Sequence, residues 1–209
     1  MTEPYELYAM PFSCSLAAHL ALREAGLPHR LHWVKRGATE LAEGGDYLAL
    51  NPKRKVPLLV LPGGEKVTEN AAVLLAIAEQ VEPLGAADRR RAFEWLTFIG
   101  TELHKQVLFV SYDRSSPAEA KADVRGRLLP PVLEHLDRHL TGREWLQSDR
   151  PSAPDFYLSW ALLLMKDLGV DLTAYPAVNA YRARGAARES FQAVIALERQ
   201  AFVAAGGKR

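Results

Sequence analysis

The run Asn51-Pro-Lys-Arg-Lys-Val-Pro-Leu-Leu-Val-Leu61 continues through Pro62-Gly-Gly64 to Val67-Thr-Glu-Asn70, and it carries more structural information than any other part of the chain. Pro52 disfavours helix at Asn51. Leu58 to Leu61 is a short, continuous apolar run between two prolines, which suits a buried strand. Pro62-Gly63-Gly64 supplies a turn in which positive φ meets no Cβ clash. A brief strand, Lys66 to Thr68, then folds back as a hairpin. Val56-Pro57 leaves two geometries open. A trans bond gives an ordinary hairpin and is the commoner state, since cis is ~5% of X–Pro bonds. A cis bond turns the loop sharply and points the Val56 N–H and C=O outward, where an extended peptide can pair with them by strand addition. Glu69 and Asn70 open the next helix, whose free N–H groups attract an anionic ligand group.

Upstream, Tyr5 to Ala9 reads as a strand broken by Pro11-Phe-Ser-Cys-Ser. Ser13 or Ser15 is expected to cap a helix over Leu16 to Ala25, which Gly26 and Pro28 end. Leu31 to Val34 is a second strand, giving β-α-β and a right-handed parallel pairing. Residues 39–48 read as weakly helical, with Gly44-Gly45 interrupting. A helix follows the hairpin from Asn70 to Val81, and residues 82–88 read as a linker. Beyond it the pattern is helical only. Residues 87–111 form a long helix with a core stripe of Leu96, Ile99, Leu103, Val107 and Val110. A second helix spans 117–140, where Pro130-Pro131 must kink or interrupt it. Ser152 and Asp155 have capping-box spacing before the apolar run Phe156 to Met165. Short helices finish after Pro176.

The chain has 209 residues, 48% of them hydrophobic, with a formal net charge of +1. That supports an ordinary core and disfavours a nucleic-acid or charged membrane surface. One cysteine excludes an intrachain disulfide and suits a reducing compartment. The N-terminus lacks an apolar signal core, and no window approaches the ~18 apolar residues that span a bilayer. The expectation is a cytoplasmic protein. Histidine spacing points to no metal site.

Two residues stand out as chemistry. Cys14 follows a strand at a helix N-terminus, where unsatisfied N–H groups and the dipole stabilise a thiolate, its own or a ligand's. It can equally be a small buried residue. With no second cysteine at CxxC spacing, disulfide chemistry needs an external thiol. His104 lies on the long helix in a stripe with Phe93, Thr97, Gly100, Thr101 and Leu108. The small residues leave room beside a ring that can hold a proton, as a cleft wall does, or else serve close helix packing. Of the basic clusters Lys35-Arg36 and Lys53-Arg54-Lys55, the second adjoins the hairpin, so Lys55 can reach a ligand carboxylate.

Taken in order, these residues resemble the cytosolic glutathione S-transferases over nearly the whole chain, and the bacterial beta class most. The matching runs are Pro11-Phe-Ser-Cys-Ser-Leu-Ala-Ala-His19, Leu22-Arg-Glu-Ala-Gly26, Asn51-Pro-Lys, Val56-Pro57, Thr68-Glu69, Thr101-Glu-Leu-His-Lys105 and the Ser152/Asp155 box. The resemblance implies an α/β thioredoxin-like domain, β-α-β-α-β-β-α, over 1–81. It also implies an all-α domain over 89–209 that takes a hydrophobic electrophile. It implies a cis Val56-Pro57 bond and glutathione as co-substrate, with Val56 pairing its cysteinyl backbone. Ser13, Lys55, Pro57, Glu69 and Asn70 complete the glutathione set: Glu69 meets the γ-glutamyl ammonium and Asn70 the adjacent carboxylate. Cys14 and His104 are the implied catalytic pair, and a homodimer the implied assembly. Thr39, Asn70 and Thr97 depart from the beta-class lysine, serine and asparagine, and the linker is short for the class. Losing the lysine contact weakens binding by ~1–3 kcal/mol unless Lys35, Arg36 or Lys55 compensates. The departures keep a second reading open beside transfer or thiol–disulfide chemistry: a non-catalytic stress or regulatory protein on the same fold.

Overall fold

The structure, a computed structural model, describes residues 3–36, 39–81 and 84–207. In chain order the elements begin β1 (Tyr5–Ala9), α1 (Ser15–Glu24), β2 (His29–Trp33), α2 (Tyr47–Leu50), β3 (Leu58–Val60), β4 (Lys66–Thr68) and α3 (Asn70–Val81). There follow α4 (Ala86–Phe98), a π-wound stretch Ile99–Phe109, α5 (Val110–Tyr112), α6 (Ala118–Asp123) and a second π-wound stretch Val124–Leu128. The chain ends with α7 (Leu129–Leu140), α8 (Ala153–Asp167), α9 (Pro176–Ala186) and α10 (Glu189–Ala204). Contacts divide it into two compact units, Met1–Leu84 with Arg188–Arg209, and Gly85–Ala187. The sequence reading counts everything past residue 89 with the helical half, whereas α10 packs on α1 in the first unit. Residues 82 and 83 of the expected linker lie outside the described residues, and α4 already begins at Ala86.

The first unit has the thioredoxin-like arrangement that the hairpin announces. Its sheet runs β2-β1-β3-β4, with β1 parallel to β2, and β3 antiparallel to both β1 and β4. On β1, Tyr5, Leu7 and Ala9 are buried and the residues between them are not, the period-two signature of a strand with one covered face. Leu58 and Leu59 of β3 are fully buried, which accounts for their unbroken apolar run. Gly63 and Gly64 both adopt φ near +90°, a turn few other residues tolerate. Helix α1 buries nearly every residue from Ser15 to Leu22. It ends in a Schellman motif: the Leu27 N–H donates to Leu22 O at 3.1 Å, the Gly26 N–H to Arg23 O at 3.2 Å, and Gly26 has φ +64°.

Two expectations fail here for local reasons. Residues 39–46 form turns with isolated bridges Val34–Leu41 and Glu40–Asp46, so the weak helix expected over 39–48 is confined to its last two residues. Gly44 and Gly45, at φ +93° and +114°, bend the backbone out of the helical region, and helix begins only at Tyr47. The cap of α1 is Cys14 itself, with no side-chain cap bond. Ser13 and Ser15 hydrogen-bond to the Met10 main chain, and the Ser13 hydroxyl oxygen also accepts the Ser15 N–H at 3.4 Å, so a serine contact to the helix start is present although neither serine is the cap residue.

In the second unit the helix expected over 87–111 spans 86–112, but its middle is π-wound. Wider winding shifts the phase of the buried stripe. Leu96, Ile99, Leu103 and Val107 are buried as expected, while Leu108 replaces Val110 at the end of the stripe. The prolines act similarly: winding changes to π over Val124–Leu128, and Pro130-Pro131 fall in the first turn of α7, where missing N–H groups cost little. The capping box is present. Asp155 Oδ2 accepts the Ser152 N–H at 2.9 Å and the Ser152 hydroxyl at 2.7 Å. The same carboxylate is fully buried and accepts the Leu146 N–H at 2.9 Å and the Tyr181 hydroxyl at 2.8 Å. Burial raises its pKa while these four donors oppose the rise. Asp155→Ala leaves four donors without their acceptor and is expected to lower the unfolding free energy by about 3–5 kcal/mol in denaturant melts. Ser152→Ala should cost about 1 kcal/mol; near-equal losses would show that the box does not organise this corner.

Candidate functional site

In the first unit, two loops far apart in sequence meet. The Val56–Pro57 bond is cis. The Cys14 thiol donates to the Val56 carbonyl at 3.3 Å, across a separation of 42 residues. Beneath them Val34, Leu41, Tyr47 and Leu58 form a small apolar cluster against which Met10 and Val56 pack, so one cluster seats both loops. The Lys55 carbonyl is fixed by the Tyr47 hydroxyl at 2.7 Å and by Asn51 Nδ2 at 2.8 Å. Among the described residues the Val56 amide makes no main-chain hydrogen bond. Its carbonyl, expected to point outward unengaged, instead holds the thiol, though a carbonyl oxygen retains a second lone pair.

The other expected residues fall out as follows. The Ser13 hydroxyl donates to Met10 O and lies 2.8 Å from Ser15 Oγ, so it belongs to the internal bonding of the Cys14 loop. Pro57 is buried at the start of β3, and Lys55 has an exposed side chain. Glu69 is exposed and bound by Lys53 Nζ at 3.0 Å, which also reaches Thr68 Oγ1 at 2.8 Å. Lys55, expected to reach a ligand carboxylate, keeps its side chain exposed, while Lys53 of the same cluster pairs with Glu69. Asn70 opens α3 with 8% exposure, and among the described residues neither its Nδ2 nor its Oδ1 has a hydrogen-bond partner. An unsatisfied buried amide is costly, and here it sits at a helix N-terminus.

Backbone strain collects in these same loops. Phe12, Arg54 and Glu69 are the non-glycine residues with positive φ among the described residues, at +57°, +56° and +71°. Each such conformation costs ~1–3 kcal/mol and persists only where the surroundings enforce it. One precedes Cys14, one precedes Val56 and one precedes Asn70. Of the residues set against the departure at Thr39, Lys35 pairs with Glu40 at 3.0 Å, and Arg36 reaches the Pro11 carbonyl at 3.4 Å.

His104 belongs to the second unit. Its Nδ1 lies 2.6 Å from the Tyr157 hydroxyl, and its ring meets Trp160 edge-on at 4.8 Å between centroids. Gly100 leaves the space beside the Tyr157 phenol. Thr97 and Thr101 are exposed and return their hydroxyls to the helix carbonyls of Phe93 and Thr97. Tyr157 has no sequence signal marking it as a partner, since a tyrosine on an apolar helix face reads as core. Burial, with Lys105 alongside, lowers the His104 pKa from 6.5 to about 4. The imidazole is therefore neutral at pH 7, able to accept or donate a hydrogen bond but not to act as a cation.

Among the described residues no group of three or more His, Cys, Asp or Glu side chains could hold a metal ion, and no helix is long and apolar enough to cross a membrane.

A thioredoxin-like sheet with a cis-proline loop over a helix-capping cysteine, followed by an all-helical unit, defines the glutathione-transferase class of fold. Family profiles agree: one for the glutathione S-transferase N-terminal domain matches residues 12–80, and one for the C-terminal domain matches residues 92–189. The chain is 32% identical over 199 residues to glutathione S-transferase GstA of Escherichia coli O157:H7, covering 92% of this chain and 98% of that protein. Among solved structures it is similar to a sphingomonad glutathione S-transferase complexed with glutathione, with 36% identity, a TM-score of 0.86 and coverage of 92% and 98%. It is likewise similar to the bacterial beta-class glutathione S-transferase of Sphingomonas chungbukensis, at 36% identity, a TM-score of 0.84 and the same coverage. This chain belongs to the glutathione S-transferase family.

The low His104 pKa has a stability consequence. Between pH 6.5 and about 4 the unfolded chain protonates this ring and the folded chain does not. Its contribution is therefore intact above pH 6.5 and is lost as pH falls toward 4, by about 3 kcal/mol at most. Urea melts of the protein and of His104→Gln across pH 4 to 7 are expected to converge at low pH relative to neutral pH. Parallel stability curves would contradict the assignment.

Proposed function

We propose that the protein is a glutathione transferase that binds the tripeptide along Val56 and uses the Cys14 end of α1 to hold its sulfur. The observation that carries this reading is the cis Val56–Pro57 loop, whose Val56 amide makes no main-chain hydrogen bond among the described residues and whose Val56 carbonyl lies 3.3 Å from the Cys14 thiol. The cysteinyl carbonyl of glutathione accepts the Val56 N–H, and its N–H takes the remaining lone pair of the Val56 carbonyl. The γ-glutamyl carboxylate satisfies the orphaned Asn70 amide and the α3 N-terminus, while its ammonium meets Glu69, displacing or sharing Lys53. Arg36, close to Pro11, is the cation best placed in this unit to offset the missing lysine at Thr39.

Two routes use this arrangement. In transfer, the glutathione thiolate attacks an electrophilic carbon and the leaving group departs with the electron pair. In thiol–disulfide chemistry, the Cys14 thiolate attacks a glutathione disulfide, and glutathione leaves as thiolate. His104, neutral at pH 7, serves by hydrogen bonding or as a proton acceptor. The family membership and the glutathione complex among its relatives favour the enzyme over a non-catalytic protein on this fold. A homodimer, a cytoplasmic location and a detoxifying role with small hydrophobic electrophiles complete the proposal.

Cys14→Ala separates the routes. Disulfide reduction is expected to vanish, while conjugation to an aromatic halide largely persists; persistence of both would remove Cys14 from the chemistry. Asn70→Ala tests the tripeptide's seat. Removing a buried amide without partners should raise the melting temperature of the ligand-free protein. Calorimetry should show glutathione affinity falling about tenfold, by ~1–3 kcal/mol. Unchanged affinity would exclude Asn70 from the glutathione set.

A further inference from the structure

The C-terminal helix carries a buried carboxyl group that the proposed chemistry leaves unexplained. Glu198 on α10 is fully buried, a state that carboxylates reach only when paired and hydrogen-bonded. Its two oxygens face different parts of the same unit. Oε1 lies 3.1 Å from Nδ1 of His19, itself 1% exposed in the middle of α1, over a separation of 179 residues. Oε2 accepts the main-chain N–H of Phe12 at 2.7 Å, over a separation of 186 residues. Phe12 is two residues before Cys14 and holds the left-handed φ of +57°. One turn further along α10, Phe202 meets the Phe12 ring edge-on at 5.7 Å between centroids. At its start α10 is tied to α1 again, through Arg188 and Ser190 on Glu24.

We infer that Glu198 is a positioning residue for the Cys14 loop, fixing the Phe12 amide and so the placement of the thiol beside Val56. Phenylalanine does not hold a left-handed backbone unaided; some contact must offset a strain of ~1–3 kcal/mol. A short hydrogen bond from a main-chain N–H to a buried carboxylate is of the strong, charge-assisted kind. The link to His19 anchors that carboxylate to the helix Cys14 caps, so loop and helix share one reference point. Without it Phe12 relaxes to negative φ and the chain through Ser13 shifts the thiol away from the Val56 carbonyl. The inference rests on the proposed role of the Cys14 end of α1, but its readout does not need glutathione.

The test compares Glu198→Met, which fills the volume with no acceptor, and Glu198→Gln, whose amide oxygen can accept the Phe12 N–H while its NH₂ faces His19 Nδ1. Phe202→Leu is the control for packing alone. The readouts are the rate of Cys14 alkylation by iodoacetamide and the kcat and KM for glutathione-dependent disulfide reduction, the route that uses the Cys14 thiol. Glu198→Met is expected to alter the alkylation rate about tenfold, and to lower kcat by about tenfold to a hundredfold, as misplacement of a reacting group does. Glu198→Gln should retain most of both, and Phe202→Leu should leave the alkylation rate within about twofold. If Glu198→Met lowers the melting temperature but leaves alkylation and kcat at their original values, the carboxylate is only structural and the inference fails. Should Glu198→Met not fold, hydrogen exchange in the unaltered protein reads the same bond: the Phe12 amide should be protected, and exchange at the rate of an open loop would overturn the inference. Persistence of disulfide reduction in Cys14→Ala would instead strike the proposed role of the thiol and leave the alkylation comparison standing.

Discussion

The contact between the Cys14 thiol and the Val56 carbonyl is the constraint on which the first unit depends. It joins the start of α1 to the cis-proline loop, and both must be in place before either end has a use. The supports are local and apolar beneath, through Met10, Val56 and Tyr47, and polar behind, through Tyr47 and Asn51 on the Lys55 carbonyl. The proposed chemistry at this sulfur needs that precision because a shift of about 1 Å at the reacting atoms can cost a hundredfold in rate.

Stability has been given up around this contact. Three side-chain-bearing residues hold left-handed backbones, and Asn70 is buried with an unsatisfied amide. None is needed to build the sheet or to bury α1. Such costs gather where a ligand is to be received, because groups that will bind it must stay unengaged beforehand. The second unit contrasts with this: Asp155 has a donor for each direction in which it is exposed to the chain, and its role is to hold a corner together.

Local signals were the legible part. The hairpin, its glycine turn and the bounds of α3 follow from a short apolar run, Gly63-Gly64 and the polar residues that open the helix. The capping box at Ser152 was equally readable. What could not be read is set by tertiary contact. The Val56–Pro57 isomer is fixed by what packs on it, so the residues left both forms open and only the family likeness chose. The π-winding over Ile99–Phe109 leaves no mark in the residue pattern, so a 3.6-residue period places Val110 where Leu108 is buried. Glu198 gave no sign, for a glutamate on a helix of mixed polarity reads as surface, and its partners lie 179 and 186 residues away. The Lys53–Glu69 pair is likewise invisible in the sequence, because spacing alone does not tell which lysine of the cluster turns toward that carboxylate.

A crystal structure of the protein with glutathione bound tests the central claim most directly. The account predicts the cysteinyl backbone of the tripeptide paired with the Val56 N–H, its sulfur at the Cys14 end of α1, and its γ-glutamyl carboxylate on Asn70. A tripeptide seated elsewhere, with the Val56 amide still unengaged and the Asn70 side chain still without a partner, would contradict it.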